Sequence, residues 1–140
     1  VASWVKIIFE RDIYAIDLDR VSAFASAPNG KITFWLPNSS IPIVLSPQTH
    51  SESHQIIQSY IEQRTGYSLG AHWLKMNYDR CEYLIDLNSI STFCCEPNSK
   101  KITFWLPDST TPIVLHPQAH AEAYKQVMDY IEKTIGDSMP

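Results

Sequence analysis

Apolar and polar residues alternate through Trp4–Arg11, which sets Val5, Ile7 and Phe9 on one side. That period of two is the pattern of a half-buried strand. Tyr14, Ile16 and Leu18 form a second alternating set, Ile32, Phe34 and Leu36 a third, and Ile43 with Leu45 a fourth. Pro28, Asn29 and Gly30 supply turn chemistry before the third strand, and Asn38–Ser40 supplies it after. Pro42 stands at the start of the fourth strand, where a missing N–H costs least. The pattern then turns helical. Ser46 followed by Pro47 predicts an N-cap and first helical position, and Gly66 stands where a left-handed C-cap is wanted. The predicted order is β-β-β-β-α.

The same pattern is then written again. WVKIIFERDIYAIDL (Trp4 to Leu18) aligns with WLKMNYDRCEYLIDL (Trp73 to Leu87), and KITFWLP occurs at both Lys31 and Lys101. PIVLSPQTHSE from Pro42 is answered by PIVLHPQAHAE from Pro112, and YIEQRTG from Tyr60 by YIEKTIG from Tyr130. Leu74, Met76 and Tyr78 repeat the first strand, and Tyr83, Ile85 and Leu87 the second. Tyr124, Val127, Ile131 and Ile135 trace one helical stripe that ends before Gly136. His116, a poorer cap, replaces Ser46. An extra residue near Ser99 shifts the alignment and marks a tolerant loop. Residues 1–70 form the first β4α unit and 71–140 the second, joined by the short Tyr67–His72 link. A link so short predicts adjacent units related by a pseudo-two-fold axis and sharing one structure. The fold class expected is α+β, with antiparallel sheets and one helix per unit. Val5, Ile7, Phe34, Ile43, Val127 and Ile131 are its expected core.

The face pointing away from this core carries the candidate binding residues. On the first unit they are Trp4, Lys6, Lys31, Thr33 and Trp35; on the second, Trp73, Lys75, Lys101, Thr103 and Trp105. Ile8, Val44 and Val114 share the face, and Asp17 and Asp86 partly offset its lysines as expected cross-strand partners of Lys6 and Lys75. Tryptophan, lysine and threonine at matching positions suit stacking of bases and contact with phosphates, the chemistry of single-stranded nucleic-acid binding. The alternative is burial of the same face, between sheets of one chain, against a protein partner, or in an isologous homodimer.

Composition bears on that choice. Lys plus Arg number 11 against 15 Asp plus Glu among 140 residues, a net charge of −4. A general polyanion binder would instead carry a basic stripe. Cys81, Cys94 and Cys95 have neither metal-knuckle nor thioredoxin-type spacing and read as free thiols of a reducing, cytoplasmic compartment. No apolar run has the length of a membrane span, and the first residues resemble no signal peptide.

GKITFWLP leading into IVLSPQ and a helix, present in tandem, resembles the Whirly proteins and the positive-cofactor type of transcriptional coactivator. The likeness covers the last two strands and the helix of each unit. It implies a helix-swapped β4α pair that binds single-stranded DNA, although this chain has no basic tail. IDLDRVSAF also resembles the I-x-L-x-x-I-x-x-F spacing of pleckstrin-homology-like strands, which implies a protein-interaction scaffold.

Chemistry beyond binding finds little support. His50 and His54 are four apart, as are His116 and His120, yet only His50 and His120 correspond between units. A duplicated metal site would keep its ligands, so no metal is expected. Asp17/Asp86, Glu52/Glu122 and Glu62/Glu132 recur without a paired base, and the 4 glycines form no phosphate loop. No nucleophile stands with a matched base and orienter. The expectation is a non-enzymatic binding or regulatory module without a cofactor.

Overall fold

The alternating segments are strands in the computed structural model, which describes residues 3–39, 41–66 and 72–136. The first unit runs β1 (Trp4–Phe9), β2 (Asp12–Asp17), β3 (Ala23–Ser26), β4 (Ile32–Trp35), β5 (Pro42–Leu45) and α1 (Ser51–Gly66). The second repeats it as β6 (Trp73–Tyr78), β7 (Cys81–Asp86), β8 (Phe93–Cys95), β9 (Ile102–Trp105), β10 (Pro112–Leu115) and α2 (Ala121–Ile135). The α+β class is as expected.

Each unit contains one strand more than the alternation indicated. β3 and β8 follow a single 3-10 turn, Leu18–Arg20 or Leu87–Ser89. Asp17 and Asp86 cap these turns by accepting from the N–H groups of Asp19 and Asn88. Val21–Ala25 is buried at every position, so β3 shows no alternation from which a period could be read. The helices also begin later than Pro47 and Pro117 suggested. Ser46 does cap, accepting from the N–H of Gln48 and Thr49, but the element it caps is a turn. That turn ends where the N–H of Ser46 donates to Nδ1 of His50, and His116 and His120 repeat the contact, each at 3.0 Å. At the far end of α2, Gly136 adopts φ 73° and donates to the Glu132 carbonyl, the expected left-handed cap. Of the Tyr67–His72 link, only His72 lies among the described residues.

The strands form three antiparallel sheets among the described residues. β1 and β2 make a hairpin of their own, and β8, β9 and β10 make a three-stranded sheet. The remaining sheet, in the order β5-β4-β3-β7-β6, crosses from one unit to the other. At the crossing, Ala23 faces Ile85, Phe24 faces Leu84, Ala25 faces Tyr83 and Ser26 faces Glu82. The N–H of Asp86 extends the joint by donating to the Ser22 carbonyl at 2.9 Å. A two-fold axis would impose the reciprocal pairing of β8 with β2, and that pairing is not made. The units therefore meet head to tail, which corrects the expected pseudo-two-fold arrangement.

Two cores result, and each takes residues from both units. Trp73 and Leu84 lie in the core under α1, with Phe24, Phe34, Ile43 and Ile57. Ala23 and Ala25 lie in the core under α2, with Ile85, Phe104, Val127 and Ile131. Burying a large apolar side chain contributes roughly 1.5–3 kcal/mol, so this exchange couples the units strongly. Of the expected core, Ile7, Phe34, Ile43, Val127 and Ile131 are buried, and Val5 packs half-buried at the edge. No helix among the described residues is long and apolar enough to cross a membrane.

Candidate functional site

The ten candidate residues do not form one platform; the three sheets divide them. Trp4 and Lys6 are on the isolated β1–β2 hairpin. Thr33, Trp35, Trp73 and Lys75 are on the five-stranded sheet, with Lys31 exposed just before β4. Thr103 and Trp105 are on the three-stranded sheet, preceded by Lys101.

Burial divides the tryptophans the same way. Trp73 is 8% exposed, within the first unit's core, and Trp35 packs half-buried against the second unit's core. Trp4 and Trp105 are 62% and 46% exposed. Thr33 and Thr103 are half-buried.

Two lysines are engaged locally. Lys75 Nζ lies 3.7 Å from Glu82, and Lys101 Nζ lies 3.3 Å from Glu96. The expected partners of Lys6 and Lys75 are thereby corrected. The hairpin register sets Asp17 and Asp86 opposite Trp4 and Trp73, while Lys6 and Lys75 face Ala15 and Leu84. Glu96, exposed, is held below the usual carboxylate range by hydrogen bonds from Ser99 and Lys101. Burial pushes Asp86 above that range, with the Asn88 N–H working against it.

Three of the exposed large apolar residues among the described residues, Trp4 included, share one face of the β1–β2 hairpin. Register sets Ile8 opposite Ile13 and Lys6 opposite Ala15 on the same face as Trp4. Ile8 is 48% exposed, Ile13 69%, and Ala15 and Lys6 are exposed. Behind Trp4, a groove of about 380 Å³ opens beside Val5, Leu18, Ile56 and Tyr60. Ile8, Ile13 and Ala15 complete the site and lie outside the ten candidates. The signal that could have found them is their replacement by Asn77, Glu82 and Leu84 in the other unit.

Three of the histidines hold turns. His50 and His120 each accept the backbone N–H four residues earlier, which accounts for their recurrence in both units. His54 donates from Nε2 to the Gly30 carbonyl at 2.6 Å, and Tyr124 donates its hydroxyl to the Lys100 carbonyl at 2.5 Å. Gly30 and Lys100 are the left-handed residues of equivalent turns, with φ 90° and 65°, so imidazole and phenol do the same work. Cys81, Cys94 and Cys95 are free thiols.

One polar cluster distinguishes the units. In the first, the Tyr60 hydroxyl and the Arg64 guanidinium both donate to Asp19 Oδ1 at 2.7 Å. In the second, the Tyr130 hydroxyl donates to Asn88 Oδ1 at 2.6 Å. Burial raises the Tyr60 hydroxyl far above its ordinary range, and the bond to Asp19 adds to it. For Asp19, burial acts upward, but the hydrogen bonds from Tyr60 and Ser3 and the charge of Arg64 outweigh it and hold the carboxyl low. The cluster ties α1 to the 3-10 turn after β2.

No family model and no curated protein matches the chain. Among solved structures, it is similar to a LytTr DNA-binding domain from Bacillus cereus. The two are 11% identical over 96% of this chain and 97% of that one, with a TM-score of 0.48.

Proposed function

We propose that the chain is a non-enzymatic binding module that engages a protein partner through the open β1–β2 hairpin. The observation that carries this reading is the Trp4–Ile8–Ile13 face, apolar and exposed. Contiguous exposed apolar surface of this kind marks interaction sites. An open strand edge beside it supplies unpaired backbone groups as a second source of affinity. The pairing of Lys75 and Lys101 with glutamates, and the net charge of −4, also weigh toward protein.

A nucleic-acid reading has its own support. Lys6 lies next to Trp4 on the exposed face, a stacking surface beside a cation. On that reading a single strand would lie over Trp4 and Lys6 rather than across all ten residues. Two measurements on the full chain separate these readings. Sedimentation equilibrium over a range of concentrations, with tryptophan emission recorded on the same samples, is expected to show rising mass and a blue shift. Anisotropy of labelled single-stranded oligonucleotides at low salt is expected to stay flat, although the phosphate contribution is strongest there. Saturable oligonucleotide binding, with constant mass and unshifted emission without DNA, would overturn the protein reading.

A further inference from the structure

The joint between β3 and β7 has a twin whose two halves both stand open. Repeat equivalence puts β8 in the place of β3, and β2 in the place of β7. Each is the outermost strand of its sheet, and no described strand pairs with its outer edge. In the filled joint Ala25 and Leu84 are buried; their counterparts Cys94 and Ala15 are exposed. The tryptophans obey the same rule. Trp73 and Trp35, which cross the filled joint into the other unit's core, have Trp4 and Trp105 as counterparts. Ala25, Leu84, Trp35 and Trp73 thus each have an exposed equivalent at one of the two open edges, and Phe24 has a half-buried one in Phe93.

We propose that β8 of one copy of this chain pairs antiparallel with β2 of a second copy, rebuilding the β3–β7 joint between molecules. The proposal rests on the protein-contact reading above and names the partner. The register carries over from the filled joint. Phe93 stands opposite Ala15, Cys94 opposite Tyr14, and Cys95 opposite Ile13. Phe93 is half-buried against Phe104 and Tyr130, and the neighbour's Ala15 covers its remaining side as Leu84 covers Phe24. Trp4 enters the neighbour's second core, and Trp105 lies on the neighbour's first. The groups that leave water on closure are those whose counterparts the filled joint covers, Trp4, Ala15, Cys94 and Trp105. The positions of Ile8 and Ile13 are held in the filled joint by Asn77 and Glu82, which stay exposed there. Because the two edges differ, the contact is head to tail. Closure at two copies fills both joints and gives a two-fold dimer; otherwise the series continues.

The test uses the full chain with Cys81→Ser and Cys94→Ser, leaving Cys95, and adds Ile13→Cys. Directly opposed antiparallel residues have Cα atoms about 4.5–5.5 Å apart, within the reach of a disulfide. Mild oxidation is expected to link chains covalently and reversibly, whereas Asp12→Cys, one residue along and on the other face of β2, is not. Ala15→Glu in the otherwise unchanged chain sets a carboxylate against Phe93. It is expected to weaken association at least about tenfold, as burial of an unpaired charge requires. Ala15 is exposed in the single chain, so an unchanged circular dichroism spectrum certifies the fold. Association that survives Ala15→Glu, with no linkage from Ile13→Cys to Cys95, would overturn this joint and leave the protein-contact reading standing. A chain that stays monomeric at every concentration overturns the joint, and one that then binds oligonucleotide overturns both.

Discussion

The hairpins β1–β2 and β6–β7 have nearly the same sequence pattern and opposite fates. Both place tryptophan opposite aspartate, and both turn on two non-glycine residues with positive φ. β7 is covered by β3, and its hairpin sends Trp73 and Leu84 into the neighbouring unit's core. β2 is covered by no described strand, and Trp4 and Ala15 stay in water. The difference teaches that burial here follows from position in a series of units, since the residues alone do not decide it. A hairpin with no described strand against its outer edge keeps one face uncovered.

The sharpest way to break this comparison is to truncate the equivalent tryptophans. Trp73→Ala removes a buried ring that the second unit places in the first unit's core and is expected to lower stability by roughly 3–5 kcal/mol. Trp4→Ala, measured by urea denaturation at a concentration low enough to suppress association, is expected to stay within about 0.5 kcal/mol. Equal losses would mean that the two hairpins are not differently covered.

Next in size are the turn-closing histidines. His50→Ala leaves the part-buried Ser46 N–H without its acceptor, as His120→Ala does for His116. Each is expected to cost about 1–2 kcal/mol, read from the shift in denaturation midpoint. No loss from His50→Ala would show that the imidazole does not hold the turn.

A smaller effect should come from the Asp19 cluster, where Asp19→Asn copies the second unit's Asn88. Asp19 and Arg64 are both partly exposed, so the expected loss is a few tenths of a kcal/mol to about 1 at neutral pH. The folded state holds the Asp19 carboxyl below its ordinary pKa. Its contribution is therefore complete above the unfolded value of about 3.9 and disappears as pH falls through the lower, folded-state value. Denaturation curves of the parent and Asp19→Asn should converge in that window, and divergence there would contradict the assigned sign.

The smallest expected change is a gain. Arg80 has φ 67° at the β6–β7 turn, a conformation that glycine adopts without strain. Arg80→Gly is expected to stabilise by about 0.5 kcal/mol once the greater freedom of the unfolded chain is subtracted. Arg11→Gly should give the same gain, since Arg11 has φ 71° at the twin turn.

Much of this architecture could be read from the residues. The duplication, the four alternating strands of each unit and both helices were legible because side chains on those elements face two different environments. β3 was not, since Val21–Ala25 is buried on both sides and offers no contrast. The helix starts were misplaced because Ser46–Pro47 begins a turn as readily as a helix, and the deciding contact comes from His50. The candidate face was recognisable as a set of residues but not as a distribution over three sheets. Duplication itself hid this. When β3 could join β7 and β8 could equally join β2, composition cannot say which joint closes, so it could not say which two tryptophans would be buried.

The pairing of β3 with β7 also sets an order of events during synthesis. Phe24, fully buried in the finished protein, has no strand on that side until Leu84 has been made. The first unit consequently leaves the ribosome with an exposed edge and a core missing Trp73 and Leu84, and it completes itself only with chain from the second. Closing so long a loop is slow compared with forming a hairpin. During that interval the unfinished unit presents the kind of edge that attracts other nascent chains. A chain of this design is most vulnerable in the interval between synthesis of its first unit and synthesis of its second.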